Sequence, residues 1–233
     1  MNIALFGYGK MGKIVEQIAL KRGHDIAQIF NSQTTDYDLT NVDVAIDFSR
    51  HSSVVNNIKL CFNKNIPIVS GTTDWIDKYD EIVERCNNEN GSFLYASNFS
   101  LGVHIFFALN QRLAKMMNRL DDYNLKIEET HHTQKIDAPS GTAITLANDI
   151  IANSSYEKWS MDTVEKNEIP ITSFRKDDIP GTHVVSYDSI IDSIAIKHTA
   201  HNREGFALGA VIAAEYIVDK KGVFTMKDVL NIG

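Results

Sequence analysis

Through its first hundred residues the chain alternates short unbroken apolar runs with longer stretches in which apolar positions recur every three or four residues. Asn2–Phe6 reads as a buried strand, and the pattern after it predicts a helix to about Arg22 with Ile14, Val15, Ile18 and Ala19 on one face. The same reading predicts strands over His24–Phe30, Val42–Asp47, Ile66–Val69 and Ser92–Ala96, and helices over Ser52–Asn63 and Ile76–Asn87. Strands separated by helices at this spacing mean βαβ units and a parallel sheet.

After residue 100 the texture changes. Leu101–Asn118 and Thr142–Asn153 read as helices, and Tyr123–Thr130, Ile171–Phe174, His183–Tyr187 and Asp192–His198 as strands. Gly205–Val218 reads as a helix and the Asp219–Gly233 tail as a return to the first domain. The expected fold class is α/β: a Rossmann-type parallel-sheet domain (1–101 with 205–233) plus a second α+β domain (102–204) with an open mixed sheet, most of it antiparallel. The stretch around 153–168 reads as a variable loop, and there is no internal repeat.

A net charge of -7 without a basic tract argues against nucleic acid or an anionic membrane as partner. An anionic ligand must then be held by a local site. Two cysteines, Cys61 and Cys86, without metal-ligand spacing suit a reducing compartment. The start of the chain runs into a strand without a leader pattern, and the longest apolar stretch, Phe206–Val218, contains Glu215 and is too short to span a bilayer. The expectation is a cytoplasmic protein.

Gly7-Tyr8-Gly9-Lys10-Met11-Gly12 sits between the first strand and the first helix. In that context the glycines serve a tight turn, a close approach of pyrophosphate, and helix–strand packing. Ligands of such sheets lie beyond the carboxyl ends of the strands. Here those ends are Gly7–Gly12, Asp47-Phe48-Ser49, Gly71-Thr72-Thr73 and Ser97-Asn98-Phe99, all rich in small or hydroxylated residues. The acid expected after the second strand is missing. Asn31 and Ser32 stand there; either can bond a ribose hydroxyl, neither repels a 2′-phosphate, and Lys10 can assist one. NADH and NADPH both remain open.

The most informative segment is Glu129–Ala143, Glu-Thr-His-His-Thr-Gln-Lys-Ile-Asp-Ala-Pro-Ser-Gly-Thr-Ala. His131 and His132 titrate near neutrality in an ordinary setting, and Lys135 is a compact cation. Ser140-Gly141-Thr142 turns into a helix whose first N–H groups are free. Together they suit a carboxylated substrate that must also be protonated. His198 and His201 lack a third ligand, so no metal is expected.

These residues carry a resemblance. The chain resembles the dihydrodipicolinate reductase family of the lysine and diaminopimelate pathway essentially end to end, most specifically over Glu129–Ala143, with Arg175, Asp178–His183, Arg203–Gly209 and Gly222–Leu230 as further matching segments. The resemblance implies hydride transfer from NAD(P)H to a cyclic dicarboxylate bearing a C=N–C=C unit. It implies His131 as proton donor and Lys135 as second donor or charge stabiliser. His132, Ser140, Gly141 and Thr142 would bind substrate. Gly7 to Gly12, Asn31, Ser32, Phe48, Gly71 to Thr73 and Ala96 to Phe99 would line the cofactor site. It further implies hinge closure between the domains, and a homotetramer built through the second domain's sheet.

Two other readings share the glycine turn. Another NAD(P)H imine or amino-acid dehydrogenase needs no His-His-x-x-Lys string. A non-catalytic nucleotide sensor would not consume NADH on mixing with the cyclic substrate.

Overall fold

The computed structural model describes residues 1–162 and 165–232. It divides into two compact units, Met1–Leu101 with Glu204–Gly233, and Gly102–Arg203. Each is described by itself.

The first unit contains β1 (Asn2–Phe6), α1 (Lys10–Lys21), β2 (Asp25–Phe30), β3 (Val44–Asp47), α2 (His51–Asn63), β4 (Ile68–Ser70), α3 (Tyr79–Asn88, entered through a 3-10 turn at Ile76–Lys78) and β5 (Ser92–Tyr95). The second unit holds α4 (Leu101–Met117, whose first residue belongs to the first unit), β6 (Asn124–His131), α5 (Gly141–Ile151), β7 (Lys158–Ser160), β8 (Glu168–Arg175), β9 (Gly181–Asp188) and β10 (Ser193–Ala200). The chain then returns to the first unit as α6 (Glu204–Ile217), β11 (Gly222–Phe224) and α7 (Met226–Leu230). The tail therefore adds an edge strand to the first sheet, pairing with β5.

The first sheet runs β11-β5-β4-β3-β1-β2 with every ladder parallel. Both faces are covered, which is why its strands read as continuous apolar runs. Ile3, Leu5, Ile46 and Val69 pack on one side with α1 and α6; Ala4, Phe6, Ile68 and Phe93 pack on the other with α2 and α3. The register aligns the strand ends: Phe6 pairs with Phe30 and Asp47, Asp47 with Ser70, and Ser70 with Tyr95. Each following loop is then tied to the neighbouring strand, Gly7 N to Phe30 O (2.8 Å), Phe48 N to Phe6 O (2.8 Å), Gly71 N to Asp47 O (2.8 Å) and Ala96 N to Ser70 O (3.2 Å). All four loops sit on one ledge.

The second sheet runs β10-β9-β6-β8-β7. β10, β9 and β6 pair antiparallel, whereas β6–β8 and β8–β7 are parallel. The sheet is mixed, as expected, but parallel and antiparallel ladders are equal in number rather than mostly antiparallel. The chain leaves β6 through α5 and returns in the same direction, which makes the β6–β8 ladder parallel. β7 has no counterpart in the sequence reading; residues 163–164 of that loop lie outside the described residues. On the inner face Leu125, Ile127, Ile171, Val185 and Tyr187 form a core with Leu146 and Ile150 of α5.

Candidate active site

Along the ledge of the first unit the three glycines of the leading turn do different work. Gly7 has φ +90°, and a Cβ there would lie 2.3 Å from the Phe48 carbonyl oxygen. A Cβ on Gly12 would lie 2.2 Å from Gly7 O, so α1 could not approach β1 as closely. A Cβ on Gly9 meets no protein atom within 4 Å. Fold packing explains Gly7 and Gly12; the bareness of Gly9 leaves space for something outside the chain.

That space belongs to two cavities. One, of about 430 Å³, is lined by Gly9, Lys10, Met11, Phe48, Ser49, Arg50, His51 and Gly71–Asp74. The other, of about 530 Å³, is lined by Gly7, Tyr8, Gly9, Asn31, Ser32, Tyr37, Phe48–Arg50, Ser52 and Ser53 with others of the same edge. Gly9 and Phe48 touch both. Ala96, Ser97 and Asn98 follow β5 on the same ledge, while Phe99 is buried against Phe48, ring centroids 5.9 Å apart. Beneath the loops, buried Asp47 accepts from Thr72 Oγ1 (2.6 Å), Asn57 Nδ2 (2.7 Å) and Ser49 N (3.0 Å). Burial pushes its carboxyl up, and those donors pull it back.

The second unit gathers a polar cluster where the inner face of its sheet runs out of apolar residues. β6 alternates, so Leu125, Ile127, Glu129 and His131 point the same way. Glu129 pairs across the sheet with Ser173 and His183, and His131 with Arg175. The Glu129 carboxylate, fully buried, accepts Ser140 N at 3.1 Å on each oxygen and Ser173 Oγ at 2.8 Å. Arg175 lies 3.4 Å away, His131 Nδ1 3.5 Å and His183 Nε2 3.6 Å. Burial alone would raise its pKa, yet His183, Ser140 and Ser173 together hold it well below the usual carboxylate range.

His131, at the last position of β6, is pulled down to about 4: burial is the main cause, Glu129 opposes it, and His183, Lys135 and Arg175 add to it. Its Nδ1 has no hydrogen-bond partner. His132 follows it into the turn, where Lys135 N bonds His132 O at 3.1 Å. Lys135 Nζ meets both oxygens of Asp137 at 2.7 Å. Arg175 braces this loop, donating to Lys135 O at 3.2 Å and Asp137 O at 2.7 Å. Ser140 caps α5, its Oγ accepting from Ala143 N (3.2 Å) and standing 3.0 Å from His183 Nε2. A Cβ on Gly141 would meet nothing within 4 Å, and Thr142 is half-buried beside it. The cluster thus holds a buried imidazole at Glu129 and places Ser140, bonded to the same carboxylate, at the start of α5, with open space at Gly141.

Glu129, His131 and His183 also present donor atoms within 4.8 Å of one another, as a metal site would. In this structure the Glu129 oxygens serve Ser140 and Ser173, His183 Nε2 stands against Ser140 Oγ, and the Arg175 guanidinium is the counter-charge.

Residues 1–99 match the family described as "Dihydrodipicolinate reductase, N-terminus" and residues 102–230 the family described as "Dihydrodipicolinate reductase, C-terminus". The chain belongs to the dihydrodipicolinate reductase family. A relative from Christiangramia forsetii, named 4-hydroxy-tetrahydrodipicolinate reductase, is 54% identical over 99% of this chain and 98% of its own. A relative of the same name from Thermosipho africanus is 34% identical over 99% and 98%. The solved structure of a dipicolinate-bound dihydrodipicolinate reductase from Paenisporosarcina sp. TG-14 shares the fold, with a TM-score of 0.76 at 20% identity over 97% of each chain.

Within this reductase family member His131 and Ser140 meet at Glu129, and Arg175 braces the loop that carries Lys135, forming one group; the glycine turn, Asn31, Ser32, Phe48 and Gly71–Thr73 line two neighbouring cavities as another. Glu129, Ser173 and His183, which bind the first group together, received no role from the sequence. One signal was present: Glu129 occupies the apolar phase of β6, where an acid is retained only if it is fully hydrogen-bonded.

Proposed function

We propose that the chain catalyses the NAD(P)H-dependent reduction of 4-hydroxy-tetrahydrodipicolinate, via dihydrodipicolinate, to tetrahydrodipicolinate in lysine and diaminopimelate biosynthesis. The single observation that carries this reading is the buried Glu129 hub, which sets His131 beside the start of α5. The names of relatives covering the whole chain support it.

The first unit would hold the nucleotide. The open space over Gly9 fits a pyrophosphate lying against the start of α1, with Lys10 in reach of the same cavity. A reduced nicotinamide bound there supplies hydride to an electron-poor ring carbon of the substrate. The second unit would hold the ring. Lys135 and the free amides of Gly141 and Thr142 would meet a carboxylate, and His132 and Ser140 would border it. His131 would deliver the proton to the enamine, since its buried imidazole gains a counter-charge when an anionic ring arrives.

The working assembly is a homotetramer formed through the sheet of the second unit. The outer face of that sheet supports this, exposing Phe174 at 48%. The protein would act in the cytoplasm; the free, buried Cys61 and Cys86 suit that compartment, and among the described residues no helix is long and apolar enough to cross a membrane. The deciding experiment mixes the purified chain with NAD(P)H and the cyclic substrate and follows nicotinamide absorbance. Failure to consume either cofactor overturns the reading, and light scattering tests the tetramer.

A further inference from the structure

Membership of the family leaves the choice between the two nicotinamide dinucleotides undecided, and the cavity at the end of β2 bears on it. Asn31 directly follows β2, at the place where an acid would bind the ribose diol through its two oxygens. The side chain of Asn31 cannot take that part. Its Oδ1 accepts Gln33 N at 2.8 Å, within a turn that also ties Asn31 N to Thr34 Oγ1 at 2.9 Å. What Asn31 offers outward is its Nδ2 donor.

The rest of this cavity wall is of the same kind. Ser32, Ser52 and Ser53 contribute hydroxyls, and Arg50 contributes a guanidinium. Arg50 is exposed, and among the described residues no side chain pairs with it. It stands at the N-cap of α2, whose positive end faces the same way. Among the described residues no carboxylate lines the cavity. A wall of hydroxyl and amide donors around an unneutralised guanidinium is complementary to a phosphate dianion, and a ribose diol would find no anionic acceptor there.

We propose that this chain selects NADPH, with Arg50 meeting the 2′-phosphate and Ser32 and the Asn31 amide completing its shell. The inference rests on the reductase reading for its physiological sense, but its chemistry is a property of the nucleotide site alone. It therefore requires a test that does not depend on turnover.

The purified full-length chain is titrated calorimetrically with 2′,5′-ADP and with 5′-AMP. The first should bind at least ~10-fold more tightly, as a charge-assisted pair commonly gives. Arg50→Gln should abolish that difference by weakening 2′,5′-ADP selectively, and Asn31→Asp should reverse it. Steady-state kcat/KM should follow the same order for NADPH over NADH. Equal or tighter binding of 5′-AMP overturns the proposal. So does an Arg50→Gln variant that weakens both ligands alike, since the guanidinium would then be stacking on adenine. No binding of either ligand overturns the nucleotide site itself. Selective 2′,5′-ADP binding with no turnover on either cofactor upholds this inference and overturns the reductase reading.

Discussion

Glu129 receives the backbone N–H of Ser140 at 3.1 Å on each of its oxygens, joining the end of β6 to the first turn of α5. The same carboxylate faces Arg175 and Ser173, so its removal leaves several buried donors without an acceptor. Glu129→Ala should cost about 3 kcal/mol of stability, read by denaturant unfolding. Glu129→Gln, which keeps one acceptor and the shape, should cost less. Both variants should lower kcat while nucleotide affinity stays unchanged; an unaltered kcat in Glu129→Ala would show that α5 and His131 hold their places without it.

His131 links pH to stability. Its pKa is about 4 in the folded chain against an ordinary 6.5. Between these values the unfolded chain binds the extra proton, so stability rises with pH across this window and is lost as pH falls through it. The slope from this group is at most about 1.4 kcal/mol per pH unit. His131→Asn should flatten the pH 4 to 6.5 portion of the stability curve. Glu129 contributes in the opposite range: its depressed pKa gives stability that is present above 4.5 and is lost on further acidification.

In catalysis the same histidine predicts a displaced pH profile. An anionic ring bound beside it favours the imidazolium, so the group's pKa rises on binding. The falling limb of kcat should therefore lie at higher pH than that of kcat/KM, and both limbs should vanish in His131→Asn. Coincident limbs in the wild type would remove His131 as the donor.

Gly9 and Gly12 should part company. Gly9→Ala adds a methyl into open space, so the melting temperature should hold while nucleotide affinity falls ~10-fold or more. Gly12→Ala forces its methyl onto Gly7 O at 2.2 Å and should lose about 1–3 kcal/mol of stability. Equal behaviour of the two variants in unfolding and nucleotide titration would contradict the division of roles.

Lys135 Nζ meets Asp137 at 2.7 Å, in a loop braced by Arg175. Lys135→Ala should reduce kcat/KM for the cyclic substrate by ~10²-fold or more, with nucleotide affinity little changed. A loss confined to nucleotide binding would move Lys135 out of the substrate site.

Local chemistry made the first sheet readable. A parallel sheet buried on both faces writes itself as unbroken apolar runs, and Gly7 and Gly12 stand where a positive φ or a close approach admits no Cβ. The His131–Thr142 string was equally visible, because its members are neighbours along the chain. Three further features escaped. β7 is three partly exposed residues without a pattern. The parallel direction of β6 against β8 depends on a crossover through α5 rather than on either strand's composition. Glu129, Ser173 and His183 become one cluster through ladder register alone. A side chain announces its preference for burial within a few residues, but the partner that neutralises a buried charge comes from strands dozens of positions away, and no local periodicity encodes which one arrives.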